Sequence, residues 1–267
     1  MPHDELVSEV RRRWETIAPF WDEYVGADGN ATHRELIAPA QLELLGLRPG
    51  ERVLEVACGN GQFARTMARL GVGVVACDFS ETFLEAARRH TAAAGITAIR
   101  YEWCDATDEA ALLALDPGPF DAVVCTMALM DMAEVAPLAR AAATRLRIGG
   151  RLVFSVLHPA FGNSRTAFYA ERREEGTEMV TEYGIKVPAY LDIPPRLGLG
   201  IAGQPVEHVY FHRPLQALLE PFFAAGFALD GLREPAFAAP GGVDGALRYS
   251  GGVAGQIPPI LVARLRR

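Results

Sequence analysis

The sequence has few cysteines and no close pair of them. The spacings between successive cysteines are 19, 27 and 21 positions for Cys58, Cys77, Cys104 and Cys125. Structural zinc sites and disulfide-stapled folds require close cysteine pairs or dense cysteine patterns. The sequence therefore excludes both, and we expect the four thiols to be buried as small apolar side chains.

Positive charge is also scarce, with 26 basic residues against 33 acidic ones and a single lysine, Lys186. The basic residues cluster only at Arg11 to Arg13 and in the final "ARLRR". Binding to nucleic acid needs a dense cationic surface. We therefore expect a small-molecule partner and no nucleic acid.

Long apolar runs are missing as well. No stretch approaches the roughly 18 uninterrupted apolar residues that span a membrane. The opening "MPHDELVSEV" has early acids and lacks the apolar centre of a signal peptide. We expect a cytoplasmic protein without membrane contact, and the 50% apolar composition of the 267 residues suffices for a folded core.

What the sequence does contain is an alternation of β-branched runs with alanine-rich stretches of helical spacing. This alternation is typical of an α/β fold with a parallel sheet. The predicted strands are Arg52 to Ala57, Val72 to Cys77, Ile96 to Glu102, Phe120 to Thr126, Arg151 to Leu157, Phe227 to Arg233 and Ile257 to Leu265. The predicted helices are Gln62 to Leu70, Glu81 to Ala94, Glu109 to Leu115, Glu134 to Leu146 and Pro214 to Ala224.

The first predicted strand runs into a glycine turn in "VLEVACGNGQFAR". Gly59 and Gly61 place two backbones without side chains at the carboxyl edge of the sheet, where ligands bind in open parallel sheets. The helix that follows directs N–H groups and a positive dipole end at this edge. A tight turn without a ligand is the alternative, because a lone G-x-G is a weak signal.

Two acids at neighbouring strand ends strengthen the ligand interpretation. Asp78 follows Gly61 by 17 residues and ends the second strand, where a carboxylate can accept both hydroxyls of a ribose. Asp105 ends the third strand and suits an exocyclic amine. Together with the glycine turn, the two acids predict a nucleoside site.

The segment from Gly59 to Ala64 also satisfies the dinucleotide pattern G-x-G-x-x-A, so a nicotinamide cofactor is an alternative. Glu55 argues against it. A buried acid four residues before Gly59 repels a pyrophosphate and suits an ammonium group.

In order along the chain, these segments resemble the class I S-adenosylmethionine-dependent methyltransferases from about Leu47 to Leu157. The segments that carry the resemblance are "VLEVACGNGQFA", "VVACDFS", "CDA", "FDAVVCTMALM" and "LRIGGRLVFSV". The resemblance implies a Rossmann-like doubly wound sheet of seven strands, mostly parallel, with an antiparallel last strand and helices on both faces. It implies S-adenosylmethionine as the cofactor.

The resemblance also implies roles for individual residues. It implies that the methionyl part of the cofactor lies beside Glu55 and the turn from Ala57 to Gly61, which includes Cys58 and Gly59. It also implies that Asp78 binds the ribose. On the adenine side it implies Phe79 and the stretch Cys104, Asp105 and Ala106. The residues implied to wall or cover the pocket are Thr126, Met127 and, from the N-terminal segment, Tyr24.

We divide the chain into an N-terminal helical lid (1–46), a cofactor-binding core (47–157), a substrate-side insertion (158–212), and a C-terminal helix and strand pair (213–267). Four aromatic residues of the lid are expected over the open edge of the sheet: Trp14, Phe20, Trp21 and Tyr24. A glycine-rich stretch from Pro235 to Gly255 is expected to be a mobile hairpin loop.

Methyl transfer relies mostly on alignment, so the site needs no nucleophile or metal of its own. A general base is useful when the acceptor is a hydroxyl or an amine. His158, at the end of the fifth strand, and His33, near the lid, are the candidates. His208 and His212 are spaced for a metal on a helix, but no third ligand is evident, so we expect no metal site.

The predicted function is therefore methyl transfer to O, N or C of a small molecule by a monomer or homodimer. Apolar contacts to the acceptor are expected from aromatic residues of the insertion: Phe161, Phe168, Tyr169, Tyr183, Tyr190 and Phe211. A nicotinamide oxidoreductase and a cofactor-binding protein that does not methylate are the alternatives.

Overall fold

A computed structural model describes residues 3–237 and 255–267, and a seven-stranded sheet runs through the centre of the protein. The strands are β1 (Arg52–Val56), β2 (Gly73–Asp78), β3 (Ile99–Trp103), β4 (Phe120–Thr126), β5 (Leu146–Leu157), β6 (Ala167–Glu175), β7 (Glu178–Lys186), β8 (Arg196–Gly198), β9 (His208–Tyr210), β10 (Ala228–Arg233) and β11 (Ile260–Arg266). The order in the main sheet is β10-β11-β5-β4-β1-β2-β3. Only β11 runs antiparallel to its neighbours among these strands, so the predicted topology is confirmed.

Helices cover both faces of this sheet. They are α1 (His3–Val25), α2 (Ala38–Leu45), α3 (Gln62–Ala68), α4 (Glu81–Ala93), α5 (Glu109–Ala114), α6 (Ala136–Arg145) and α7 (Leu215–Ala224). A π-helical stretch, His33–Ile37, precedes α2, and a short 3-10 turn, Leu129–Asp131, follows β4. The helices α5, α6 and α7 pack on one face and α2, α3 and α4 on the other, through side chains that include Leu112, Leu138, Phe222, Leu44, Phe63 and Leu84. Each such buried side chain contributes about 1.5–3 kcal/mol.

Local signals explain where most elements begin. The Ser80 hydroxyl accepts the N–H of Phe83 at 3.1 Å and caps α4, as its N-cap position predicts. The fifth strand is the exception, because it starts at Leu146 and not at Arg151. Leu146 already pairs with Phe120, and the register then shifts at a bulge, so the strand includes Gly149 and Gly150.

Helix α1 of the N-terminal segment lies over the carboxyl ends of the strands and not beside an outer strand of the sheet. Helix α1 packs against α4 and β9, and it crosses the carboxyl ends of the strands. Asp22 of α1 accepts a hydrogen bond from the Asn60 side chain, just after β1, at 2.9 Å. The α1 helix therefore roofs the edge at which the glycine turn lies, while α2 packs on the face of the sheet.

The insertion contains two hairpins that the sequence analysis does not predict. The first joins β6 to β7 and the second joins β8 to β9. A two-residue turn with Gly176 at φ +66° connects β6 to β7, and Arg173 pairs with Glu182 across the hairpin. Most of the predicted mobile loop, residues 238–254, lies outside the described residues. Among the helices at 3–237 and 255–267, none is long and apolar enough to cross a bilayer.

Candidate functional site

A cavity of about 660 Å³ opens at the carboxyl ends of β1, β2, β4 and β5, beneath α1 and the insertion. This volume is in the range of small-molecule sites, and the location is the crevice where parallel sheets bind ligands. Of the predicted site residues, those that line this cavity are Tyr24, His33, Glu55, Ala57, Cys58, Gly59, Asp78, Phe79, Thr126 and Met127. The sequence pattern thus brings ten of its fifteen candidates to one cavity wall.

The glycine turn contains three left-handed residues, Ala57, Gly59 and Gly61, with φ of +56°, +53° and +73°. A side chain at Gly59 would meet no atom within 4 Å, so the backbone there faces open space. Gly61 differs, because a Cβ there would lie 2.9 Å from Cζ of Tyr101 and 3.0 Å from the Ala87 methyl. Gly59 therefore leaves room for a ligand, whereas Gly61 makes room for protein packing and does not line the cavity.

Glu55 presents a buried carboxyl group to the cavity. The residue is 1% exposed, and its Oε2 has no hydrogen-bond partner. Burial raises the pKa of Glu55 to about 8, against the opposing charge of Arg65. A carboxyl group of this kind is poised to gain a cationic partner, because an unpaired buried polar atom is costly.

Asp78 is fixed by two backbone N–H groups. Its Oδ2 accepts from Gly59 and its Oδ1 from Ser80, both at 2.9 Å. Burial raises the pKa of Asp78 to about 6, and these hydrogen bonds oppose the rise. Each carboxylate oxygen keeps a second lone pair, so Asp78 can still accept two hydroxyl groups.

The predicted adenine-side residues lie apart from the large cavity. Cys104, Asp105 and Ala106 line a separate hollow of about 30 Å³, which Phe79 and Ala57 also border. Asp105 accepts from the N–H and the hydroxyl of Thr107 at 2.7 Å, and Arg11 of α1 forms an ion pair with its other oxygen. Arg11 therefore occupies the carboxylate that the sequence assigns to an exocyclic amine.

The aromatic roof is contributed by α1. The Tyr24 ring stacks on Phe20 at 6.4 Å between centroids and meets Trp21 edge-on at 5.5 Å. Trp14 and Trp21 line the same cavity as Tyr24. Below them, Thr126 donates to Gln41 at 3.2 Å, and Met127 has a φ of +54°. The predicted wall residues thus face the predicted covering residue across the cavity.

The two histidines predicted as candidate bases differ in position. His33 lines the cavity, and its Nδ1 lies 2.8 Å from Oδ1 of Asn30. Burial lowers the pKa of His33 to about 4, which makes it a weak base at neutral pH. His158 does not line the cavity. Its Nδ1 accepts the N–H of Ala160 at 3.2 Å, and its Nε2 lies 2.8 Å from Glu234, so both ring nitrogens are engaged.

Part of the expected aromatic wall is present. Phe161, Phe168 and Phe211 line the cavity, whereas the three tyrosines of the same set are not among the lining residues. His208 lies on β9 and His212 follows it, and the Nε2 of His212 bonds to the Tyr190 carbonyl at 2.6 Å. The two imidazoles therefore have separate partners.

Asp131 and His208 are among the polar residues that line the cavity and that the sequence did not assign to it. Asp131 lies in the 3-10 turn after β4, and His208 comes from the insertion. The signal for Asp131 is the lone acid in the apolar run "MALMDM". No short-range pattern could have paired it with a residue 77 positions later (208 minus 131).

Comparison with known proteins identifies a methyltransferase domain. The sequence model of a methyltransferase domain matches residues 53–150. A ubiquinone biosynthesis O-methyltransferase from Ralstonia nicotianae is 35% identical over 157 residues, which are 58% of this chain and 60% of that protein. A second, from Xanthomonas euvesicatoria, is 34% identical over 142 residues, which are 52% and 56% of the two chains. This chain therefore spans somewhat over half the length of the curated relatives it matches.

A solved structure extends the similarity to nearly the whole chain. An S-adenosylmethionine-dependent methyltransferase from Mesorhizobium loti has a TM-score of 0.64 and 26% identity, with 91% of this chain and 100% of that chain covered. The matched domain holds the glycine turn, Asp78 and Asp105, and the seven-stranded sheet with its antiparallel last strand is the one that the resemblance implies. The chain therefore contains a methyltransferase domain at residues 53–150 and shares its fold with S-adenosylmethionine-dependent methyltransferases.

Proposed function

We propose that this protein transfers the methyl group of S-adenosylmethionine to a small-molecule acceptor. The observation that carries the proposal is the convergence of Glu55, the open backbone of Gly59, and Asp78 on one wall of the cavity. When bound, S-adenosylmethionine supplies an electrophilic methyl group on a sulfonium. The chain's own task is to hold and align the two partners, a contribution of up to about 7–11 kcal/mol in well-oriented systems.

The residues present fit this cofactor. The unpaired Oε2 of Glu55 would accept from the ammonium group, and Asp78 would accept from the ribose hydroxyls. Phe79 borders both the cavity and the adenine-side hollow, so it would contact the base. Asp105 would accept from the adenine amine if the Arg11 ion pair opened.

The rest of the cavity takes the acceptor, beneath the proposed lid (1–46) and beside the proposed insertion (158–212). The names of the two curated relatives describe O-methyltransferases, which supports oxygen among the predicted acceptor atoms. The proposed core (47–157) and C-terminal part (213–267) complete the sheet. The cytoplasmic location and the monomeric or homodimeric state stay predictions.

The position of Glu55 disfavours the alternative of a nicotinamide cofactor. Glu55 lies buried beside the glycine turn, where a dinucleotide would place its pyrophosphate. A pyrophosphate there would supply no cation for Glu55, whose Oε2 has no hydrogen-bond partner, and it would disfavour ionisation of the carboxyl group further.

The test is a calorimetric comparison of S-adenosylhomocysteine with NAD⁺. We expect binding of the first alone, and about 10- to 100-fold weaker binding by Asp78→Asn, because hydrogen bonds to a charged group contribute about 1.5–3 kcal/mol. Asp108→Asn is the matched control, because Asp108 also accepts a backbone N–H, at 3.1 Å, but caps α5 far from the cavity. Preferential binding of NAD⁺ would reject the proposal. Release of S-adenosylhomocysteine with an acceptor panel then separates a methyltransferase from a protein that only binds the cofactor.

Removing Arg11 is expected to strengthen cofactor binding. In the Arg11→Ala protein, the adenine amine can reach Asp105 without first breaking the Arg11–Asp105 ion pair. A partly exposed ion pair of this kind contributes about 0–1 kcal/mol. We expect up to about fivefold tighter binding of S-adenosylhomocysteine by calorimetry. Arg12→Ala, which removes a surface pair with Glu9, should change nothing. Weaker binding by Arg11→Ala would show that Arg11 itself contacts the cofactor.

A further inference from the structure

Asp131 lines the large cavity and also borders the adenine-side hollow. Its side chain is 11% exposed, and its Oδ1 is buried with no hydrogen-bond partner. The turn that carries it is held rigidly, because Arg213 donates to the carbonyls of Leu129, Met132 and Ala133 at 2.7–2.9 Å. The Arg213 guanidinium therefore binds the backbone around Asp131. The Asp131 side chain lines the cavity.

The polar groups near Asp131 leave it as the strongest proton acceptor. His208 is nearest, with Nε2 3.6 Å from Oδ1, beyond hydrogen-bond distance. Arg213, Tyr210 and Cys125 are the other charged or titratable groups whose electrostatic effects link them to Asp131. Burial raises the pKa of Asp131 well above its usual range, and Arg213 opposes the rise only in part.

His208 has no free lone pair for this task. Oε1 of Gln204 accepts from Trp21 and from the Gly200 backbone, which identifies the opposite end of that amide as its NH₂ group. That NH₂ group lies 3.0 Å from Nδ1 of His208, so Nδ1 accepts and the proton of the neutral ring sits on Nε2. Burial lowers the pKa of His208 to about 4, so the ring stays neutral at physiological pH.

We infer that Asp131 is the general base of the site and that the acceptor presents a hydroxyl group on an aromatic or apolar body. The inference rests on the proposed methyl transfer and names its substrate class. Burial favours the neutral form of Asp131, as it does for Glu55, so the acting base is the ionised form, which the raised pKa makes a stronger base than an exposed aspartate. This carboxylate takes the hydroxyl proton as the oxygen–methyl bond forms and the sulfur–methyl bond breaks with its electron pair left on sulfur. The products are a methyl ether, a neutral thioether and a protonated carboxyl group, so atoms and charges balance.

The walls near Asp131 favour such an acceptor. Phe211 and Trp14 line the cavity with it, and the Trp14 and His208 rings lie 4.8 Å apart between centroids. Apolar and aromatic walls bind an aromatic body, and a lone buried acceptor atom selects the analogue that can donate to it. Sites built to pair a hydroxyl discriminate strongly against analogues that lack it.

Phenol and toluene are matched probes, because they differ only in hydroxyl against methyl. On protein saturated with S-adenosylhomocysteine, NMR titration should show phenol binding at least tenfold more tightly than toluene. Asp131→Leu should abolish this preference. Asp131→Asn keeps an acceptor oxygen but cannot take the proton, so it should bind phenol within about threefold of wild type and form anisole from phenol and S-adenosylmethionine about 100-fold more slowly.

Both variants should bind S-adenosylhomocysteine within threefold of wild type, which also verifies their folding. Equal binding of phenol and toluene to the wild-type protein, or failure of both to bind, overturns the proposed acceptor class. Unchanged anisole formation by Asp131→Asn overturns the role as a base. A large loss of S-adenosylhomocysteine binding would place Asp131 in the cofactor site. By contrast, the proposed methyl transfer itself fails if the wild-type protein does not bind S-adenosylhomocysteine, or if it releases none with any member of the acceptor panel.

Discussion

Replacing Glu55 with glutamine is expected to weaken binding of S-adenosylhomocysteine by about 10- to 100-fold at pH 8 and to flatten its dependence on pH. The free protein holds Glu55 protonated at neutral pH, because burial raises its pKa to about 8. An ammonium group requires the ionised form, so binding releases a proton. The affinity of the wild-type protein should therefore rise with pH between 6 and about 8, by at most about tenfold per unit.

The stability of the unliganded protein should show the opposite trend. The pKa of Glu55 is about 8 in the folded state against 4.5 ordinarily, so the native state retains a proton that the unfolded chain has released between these values. Stability falls as pH rises through this window, by up to about 1.4 kcal/mol per unit for one group. Glu55→Gln should remove that contribution from denaturant unfolding curves.

Calorimetry in buffers of different ionisation enthalpy measures the released proton directly. Glu85→Gln is the matched control, since Glu85 is exposed on α4. Proton release that persists in Glu55→Gln, or wild-type affinity that does not vary between pH 6 and 8, would show that Glu55 does not receive the ammonium group.

The sheet and most of the cofactor wall could be predicted because their signals are local. Each strand is a short apolar run, and the carboxyl ends of parallel strands meet at one edge, so Glu55, Gly59 and Asp78 converge without knowledge of any distant contact. The Ser80 cap likewise needs only the three residues that follow it. The apolar periodicity of the sequence and the alternation of strands with helices are therefore enough to predict the cofactor wall of the cavity.

The lid and the insertion could not be predicted to the same depth, because their placement depends on long-range contacts. Arg11 reaches Asp105 across 94 positions, and Trp21 reaches Gln204 across 183. The β6–β7 hairpin has charged and exposed side chains on much of both strands, so it lacks the alternation that identifies a half-buried strand. Its two-residue Gly176 turn was the available signal.

Asp105 shows how a local signal can identify a residue and miss its environment. Its position at the end of β3 was predicted, but the partner from α1 was not, because nothing near Arg11 in the sequence distinguishes it from Arg12 and Arg13. The same limitation applies to His158. Its place after β5 was evident, whereas its contact with Glu234 depends on a segment 76 residues away.

Alanine at Gly61 should mainly lower the stability of the fold, whereas alanine at Gly59 should mainly weaken cofactor binding. Gly61→Ala is expected to lower the free energy of unfolding by about 3 kcal/mol, from a strained φ and from contact with Tyr101 and Ala87. Tyr101 cannot swing away freely, because its hydroxyl bonds to Thr91 at 2.9 Å. In a thermal melt, this loss corresponds to a fall of roughly 6–10 °C in Tm.

Gly59→Ala is the matched variant, with a similar positive φ but nothing within 4 Å of the added methyl. It should cost only the backbone strain, about 1–2 kcal/mol, yet weaken S-adenosylhomocysteine binding at least tenfold, because the methyl enters the space beside Glu55 and Asp78. Gly61→Ala protein that remains folded at low temperature should bind nearly as the wild type does. If Gly59→Ala bound the ligand normally, the open backbone at Gly59 would not be part of the cofactor site, and the turn would serve packing alone.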